Sequence, residues 1–311
     1  MAGGLELAQH LQAAHPRHVQ VEHHAVGPVL GGGVEELLAV FGLSLPAAAQ
    51  TLDKVRKSGV ITLGYIDGAA PFSYADGNGQ PQGYSIELCN AVAEGVGAQL
   101  KRQGLKVRWV KLTIQDRIDA VRTGKVDLEC STTTWTLSRQ QLVDFSLVTF
   151  VDGGSLLVRS DADIARVADF DGKRIAVITG TTTERALRGA LARGTVKAEL
   201  VPIKTRDEGL TLLREGQVQG LASDRTALIG VVVMSGRGGG QFKLLDQDFS
   251  IEQYALMLRR NDADFRLAVN RVLARVYRSG DIEQIYARWL GPLGPPSMLL
   301  SATYFIQNLA E

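Results

Sequence analysis

From Val60 onward, short β-rich runs alternate with helical patterns, and this alternation restricts the fold more than any other feature of the chain. VITLGYI (Val60–Ile66) reads as a strand, Tyr84–Leu100 as a helix, KVRWVKL (Lys106–Leu112) as a strand, Gln115–Thr123 as a short helix and VDLEC (Val126–Cys130) as a buried strand. A second set follows: strand Arg174–Ile178, a helix through Leu191, strand Ala198–Ile203, helix Asp207–Glu215, strand Val218–Ala222 and helix Arg225–Met234. Gln253–Arg260 reads as one more strand. Asp262–Ser279 is the strongest helix, with Phe265, Ala268, Val269, Val272, Leu273, Val276 and Tyr277 on one face, and Ile282–Leu290 continues helical until Pro292, Pro295 and Pro296. Strand–helix alternation predicts an α/β fold with mostly parallel sheets. With no low-complexity linker between the two sets, they are expected to pack as lobes.

Histidine placement excludes whole classes of chemistry. All five histidines lie between His10 and His24. The remainder therefore lacks Ser-His-Asp and Cys-His catalysis and the usual zinc sites; an enzyme working with carboxylates alone passes this filter, but no catalytic residue is singled out and no metal or cofactor is expected. A net charge of +1 suggests no nucleic-acid partner. Cys89 and Cys130 lack CxxC spacing; two buried thiols are the plainer reading, a disulfide in an oxidising compartment the other. Leu37–Leu45 is a short apolar run followed by Pro46-Ala47-Ala48-Ala49, the back half of a secretory signal ending near Ala49. Its front half is atypical, because Glu35 and Glu36 stand where positive charge is needed, and a start codon placed too far upstream would explain this. The alternative is a cytoplasmic protein with a disordered tail.

Three places carry polar groups at strand ends, where open α/β sheets bind ligands. Ser131-Thr132-Thr133-Thr134 follows the Val126–Cys130 strand, with Arg139 placed to pair with a carboxylate or else to lie on a solvated helix face. Thr181-Thr182-Thr183-Glu184 opens a helix whose N–H groups favour an anion, or forms an ordinary capping box. Asp224 follows another strand, as an ammonium partner or as an N-cap. A carboxylate on Arg139, Thr134 and the Thr181/Thr182 end, with an ammonium on Asp224 and Thr132, describes an α-amino acid.

The segments LDKVRKSGVITLGY, PFSYADGNGQPQGYSIELCNAV, VDLECSTTTWTLSRQQLVDFS, GTTTE and LASDRTAL resemble, in this order, the periplasmic polar amino-acid-binding proteins of ABC importers, solute-binding protein family 3. The glutamate/aspartate-binding subgroup is the most similar, and TTTWTLSR also resembles the broad-specificity members. The resemblance spans about Leu52 to Leu290. It implies a type II periplasmic-binding-protein fold: an α/β lobe of residues 52–150 plus 248–292, a second lobe of 151–247, two crossing strands and a cleft between the lobes. Residues 1–49 would be a signal-like or misannotated segment and 293–311 a tail. The implied partners are a free amino acid and a membrane permease, with the protein a monomer and not an enzyme.

The resemblance supports Arg139 as carboxylate clamp, Thr132, Thr134, Thr181 and Thr182 as further contacts, Asp224 as ammonium partner and Phe72 as an apolar wall. For the ligand side chain it is divided. Arg117 matches the acidic-ligand pattern and Arg206 lies near a polar position of the subgroup. Ile66 and Ile114 stand where the subgroup has an arginine and a serine, which favours a less polar ligand. The alternatives are a cyclohexadienyl or arogenate dehydratase on the same fold, with Glu208 as its only candidate acid, or an amino-acid sensor module.

Overall fold

The computed structural model describes residues 51–236 and 240–310; the signal-like segment and the centre of the glycine run lie outside the described residues. In chain order the elements are α1 (Thr51–Ser58), β1 (Val60–Ile66), β2 (Tyr74–Ala75), β3 (Pro81–Gln82), α2 (Tyr84–Gln99), β4 (Lys106–Leu112), α3 (Arg117–Arg122), β5 (Leu128–Glu129), α4 (Leu137–Gln140) and β6 (Val143–Arg159). There follow β7 (Arg174–Ile178), α5 (Thr182–Arg193), β8 (Glu199–Ile203), α6 (Arg206–Arg214), β9 (Gly220–Asp224), α7 (Arg225–Met234), β10 (Phe242–Leu244), β11 (Ser250–Arg259), α8 (Ala263–Ser279), α9 (Asp281–Trp289) and α10 (Met298–Ile306).

The main sheet runs β4-β1-β5-β11-β6-β9-β7-β8, with β10 also on β6. Each end is a parallel trio, β4-β1-β5 and β9-β7-β8, in which the first strand of the set lies central. Between them β6 and β11 pair antiparallel from Val143 opposite Arg259 to Gly154 opposite Ser250. β6 then continues antiparallel to β9 through Leu157. The two trios are therefore separate α/β lobes carried on two strands that cross from one to the other.

The seventeen-residue β6 was not read from the sequence. Its buried positions do not alternate, because successive stretches of the strand pack into different cores and on both faces: Val143 and Phe145 in one, Phe150 in a second, Leu157 in a third, Leu156 and Val158 in a fourth. Phe150 belongs to a core with Leu63, Tyr84, Val92 and Val269, whereas Leu156 and Val158 join Phe170, Ile175, Val177 and Leu187. No single period marks a strand buried on changing faces.

α8 shows the reverse case. All seven residues of its expected face are buried. Asp262 caps it by accepting the Phe265 N–H, and Gly280 ends it at φ 84°, a conformation open to glycine at little cost. Residues of the expected tail form α10, with Leu300 and Tyr304 buried and the Gln307 side-chain amide exchanging hydrogen bonds with Val148 N and O. The sequence marks α10 weakly because most of its apolar residues are exposed.

Cys89 and Cys130 form a disulfide, which corrects the buried-thiol reading. α2 packs on β1 so that Cys89 reaches the end of β5, a proximity that sequence separation cannot reveal. The bridge closes a loop spanning 41 residues. Replacing both cysteines by alanine is expected to lower unfolding stability by about 3–4 kcal/mol, from the loop entropy restored to the unfolded chain. Denaturant titration measures this; unchanged midpoints would show that the bridge carries no such weight.

The lobes approach closely at Gly230 of α7. A Cβ there would stand 1.9 Å from the Ala70 carbonyl oxygen of the other lobe. Gly230→Ala must therefore hold α7 away from the Ala70–Pro71 turn. The expected result is a larger radius of gyration in X-ray scattering with an unchanged far-ultraviolet dichroism spectrum, since each lobe keeps its own core.

Candidate functional site

The threonine run after β5 is fixed by backbone bonds to β11. Ala255 N donates to Thr133 O, Trp135 N to Gln253 O, and Thr134 bridges to Tyr254. On the opposite lobe, Thr181 caps α5 by accepting the Glu184 N–H at 3.1 Å, while Glu184 accepts from Gly180 N and not from Thr181 N. The expected capping box is thus present only in its first half, and Thr182 and Thr183 stand free of that duty at the helix start.

Asp224 ends β9 and precedes α7, yet makes no side-chain capping bond. Thr183 Oγ1 donates to its Oδ1 and Tyr254 Oη to its Oδ2, both at 2.7 Å. The capping work falls to Asp152 of β6, whose Oδ2 accepts Thr226 N at 3.1 Å. Asp224 is thereby turned towards the cleft.

Between the lobes lies a small cavity, of about 20 Å³, lined by Ile114, Arg117, Thr132, Thr134, Thr181, Thr182, Thr183, Arg206 and Asp224, with Ile178, Ala222 and Ser223 completing it. A space of this size admits about one water molecule, so an amino acid would require the lobes to part. Seven of the residues singled out in the sequence as contacts or possible contacts from separate segments, Arg117, Thr132, Thr134, Thr181, Thr182, Arg206 and Asp224, meet in this lining, together with Ile114.

Three others are placed elsewhere. Phe72 is fully buried in an aromatic cluster, edge-on to Tyr84, Phe150 and Tyr254, and supports Tyr254 instead of lining the cavity. Ile66 packs with Leu112, Val121 and Phe145 in a core cluster, so it forms no wall of the cavity. Arg139 lies behind the threonine run, its Nη1 donating to Thr134 O at 2.7 Å. Glu208 is exposed on α6 and accepts from Lys204 N, outside the cavity lining.

The cleft concentrates charge. Arg117 is 5% exposed, and its Nε has no protein acceptor. Burial holds its pKa below the ordinary guanidinium value, against the pull of Glu129 and Asp224. Burial lowers Arg139 to about 10, aided by Arg117 and opposed by Glu252 and Glu129. Arg206 donates Nε–H to Ser223 Oγ at 2.8 Å. Burial raises Asp152 to about 7, reinforced by the neighbouring Asp224 charge. Tyr254 is pushed well above 10.0 by burial and the same aspartates, which keeps its hydroxyl a donor.

Glu129, Asp152, Glu252 and Tyr254 were missed by sequence reasoning. Glu129 had a usable signal, an acid inside an otherwise apolar strand. The other three lie on the crossing strands, where no local pattern distinguishes them. Glu129 is fully buried, and neither carboxylate oxygen has a protein hydrogen-bond partner. Burial lifts its pKa from 4.5 to about 7, with the Arg117 and Arg139 charges pulling it down.

The folded protein thus keeps the Glu129 proton in a range where the unfolded chain loses it. Between 4.5 and about 7 stability falls as pH rises, because the folded state binds the extra proton. Glu129→Gln never ionises and should lose this part of the dependence, leaving that of Asp152. From about pH 5 to about pH 8, its melting temperature is expected to fall less than that of the wild type. Parallel falls would show that Glu129 ionises in the folded protein as readily as in the unfolded chain.

Comparisons with known proteins give a consistent picture. Residues 61–292 match the model for bacterial extracellular solute-binding proteins, family 3. The chain is similar to the L-glutamate/L-aspartate-binding protein of Pseudomonas aeruginosa, with 34% identity over 83% of this chain and 86% of that one. It is similar also to the glutamate/aspartate import solute-binding protein of Salmonella typhimurium, at 32% over 82% and 84%. Both are binding proteins by name. Among solved structures, an ancestral amino acid-binding protein described as a precursor of cyclohexadienyl dehydratase superposes with a TM-score of 0.66 at 27% identity, covering 77% of this chain and 99% of the other.

Proposed function

The chain belongs to the bacterial extracellular solute-binding proteins of family 3, and from that premise we propose that it captures a free acidic amino acid, glutamate or aspartate, for an ABC importer. The observation that carries the acidic choice is Arg117: a buried guanidinium that lines the cavity with an unsatisfied Nε–H. A buried guanidinium whose Nε–H lacks an acceptor is costly, and a carboxylate supplied by the ligand reduces that cost. Arg206 lines the same cavity and adds a second positive charge. The naming of the relatives as glutamate/aspartate-binding proteins supports the same choice.

The remaining contacts follow from charge. The ligand ammonium meets Asp224, already oriented by Thr183 and Tyr254, with Thr132 beside it. The α-carboxylate meets the hydroxyls of Thr134 and Thr182 and the start of α5, where unpaired backbone N–H groups and the helix dipole favour an anion. Arg139 fixes the Thr134 carbonyl and adds positive charge behind that hydroxyl. Thr181, occupied as the helix cap, contributes through the backbone.

Capture is by lobe closure about β6 and β11, as hinge motions around ligands generally proceed. The closed form is handed to a membrane permease, and the protein works as a monomer in the periplasm. The Cys89–Cys130 disulfide suits an oxidising compartment, and the Leu37–Ala49 pattern suits export. Turnover is not part of this reading: the one acid in the cavity lining is Asp224, and its two oxygens are engaged by hydroxyl donors.

Arg117→Ala should weaken glutamate and aspartate by about tenfold or more, the worth of one charge-assisted hydrogen bond of about 1.5–3 kcal/mol, while glutamine and asparagine change less. Arg139→Ala should weaken all amino-acid ligands alike. Calorimetry of both variants against these four amino acids decides. A uniform loss in Arg117→Ala would show that this residue only supports the fold of the site.

A further inference from the structure

Glu252 occupies a position that amino-acid capture does not account for. It lies on the crossing strand β11, is 2% exposed and carries three hydroxyl donors on its carboxylate. Ser250 donates to Oε1 at 2.6 Å. Oε2 accepts from Thr134 Oγ1 and from Thr182 Oγ1, each at 2.7 Å, and the two threonine oxygens are 3.1 Å apart. Thr134 belongs to the first lobe and Thr182 to the second, so a single oxygen ties the lobes together. The charge is well received there, since Thr182 is the first residue of a twelve-residue helix and Arg139 is within electrostatic reach.

A threonine hydroxyl has one proton to donate. While Thr134 and Thr182 give theirs to Glu252, neither can give it to another carboxylate. A second anion at the same spot would also face the Glu252 charge at close range. We infer that Glu252 is a built-in competitor for the ligand carboxylate: it latches the lobes through Thr134 and Thr182 and must release both before an amino acid is gripped. This inference rests on the assignment of those two hydroxyls to a ligand carboxylate. The consequence is an affinity set lower than the cleft alone would give, and a cleft whose closed form has its own internal ligand.

The test uses the full chain with Glu252→Gln, which keeps the shape and removes the charge, and Glu252→Ala, which removes the group. Calorimetry with L-glutamate should show affinity rising by about tenfold in Glu252→Ala, the scale of a charge-assisted hydrogen bond, and by less in Glu252→Gln. X-ray scattering without amino acid should show a larger radius of gyration in both variants than in the wild type. Affinity that is unchanged or lower in both variants overturns the competitor role, and unchanged dimensions overturn the latch. If wild type and variants alike bind no amino acid, the proposed ligand class is wrong; the scattering result still decides the latch, because it needs no ligand.

Discussion

The antiparallel pairing of β6 with β11 is the constraint on which the site depends. Neither lobe holds the cleft alone. The threonine run of the first lobe is fixed by backbone bonds to Gln253, Tyr254 and Ala255 of β11. Asp224 of the second lobe is oriented by the hydroxyl of that same Tyr254. Asp152, which frees Asp224 from capping α7, is on β6. The crossing pair therefore sets which polar groups face one another, and a shift of register by one residue would turn Tyr254 and Glu252 to the opposite face.

Charge in the cleft is arranged by pairing groups that burial would otherwise neutralise. Arg117 and Glu129 illustrate the economy of this arrangement. Each is almost completely buried, and each pulls the other towards its charged form. Glu129 nevertheless keeps a pKa of about 7, so its compensation of Arg117 is incomplete where its proton is retained. Arg117 then keeps positive charge that the protein itself does not neutralise. Asp152 shows the opposite effect of a neighbour, since burial raises its pKa and the nearby Asp224 charge adds to the rise. The Tyr254 hydroxyl lies within hydrogen-bond distance of both and directs its single proton to Asp224, the shorter contact.

The parts of the fold and of the cavity lining that depend on local pattern were legible in the sequence. α8 announced its buried face by spacing, and Thr132, Thr134, Thr182 and Asp224 announced themselves by standing at strand ends, where backbone donors and short polar side chains collect. What depended on which strand lies beside which was not legible. Arg139 reads as a clamp from its position after the threonines, but the fold lays its guanidinium against Thr134 O. The resemblance implies Phe72 as a pocket wall, but tertiary packing sets it edge-on to Tyr254. The capping of α7 by Asp152, 74 residues away, has no sequence signal, and neither does the meeting of Cys89 with Cys130.

Gly153 and Gly154 show how tightly the crossing strands are packed beside the cleft. Both lie where β6 leaves the first lobe, opposite Ile251 and Ser250 of the returning chain. A Cβ on Gly153 would meet the Asp248 carboxylate at 2.1 Å, and one on Gly154 would meet Ser250 Oγ at 2.3 Å. Ser250 is the residue that holds the second oxygen of Glu252. Pushing Ser250 aside would carry the Glu252 carboxylate with it and disturb the point where Thr134 and Thr182 converge. The lack of side chains at these two positions leaves the room that the Asp248 carboxylate and the Ser250 hydroxyl occupy, and with it the place from which Ser250 holds Glu252.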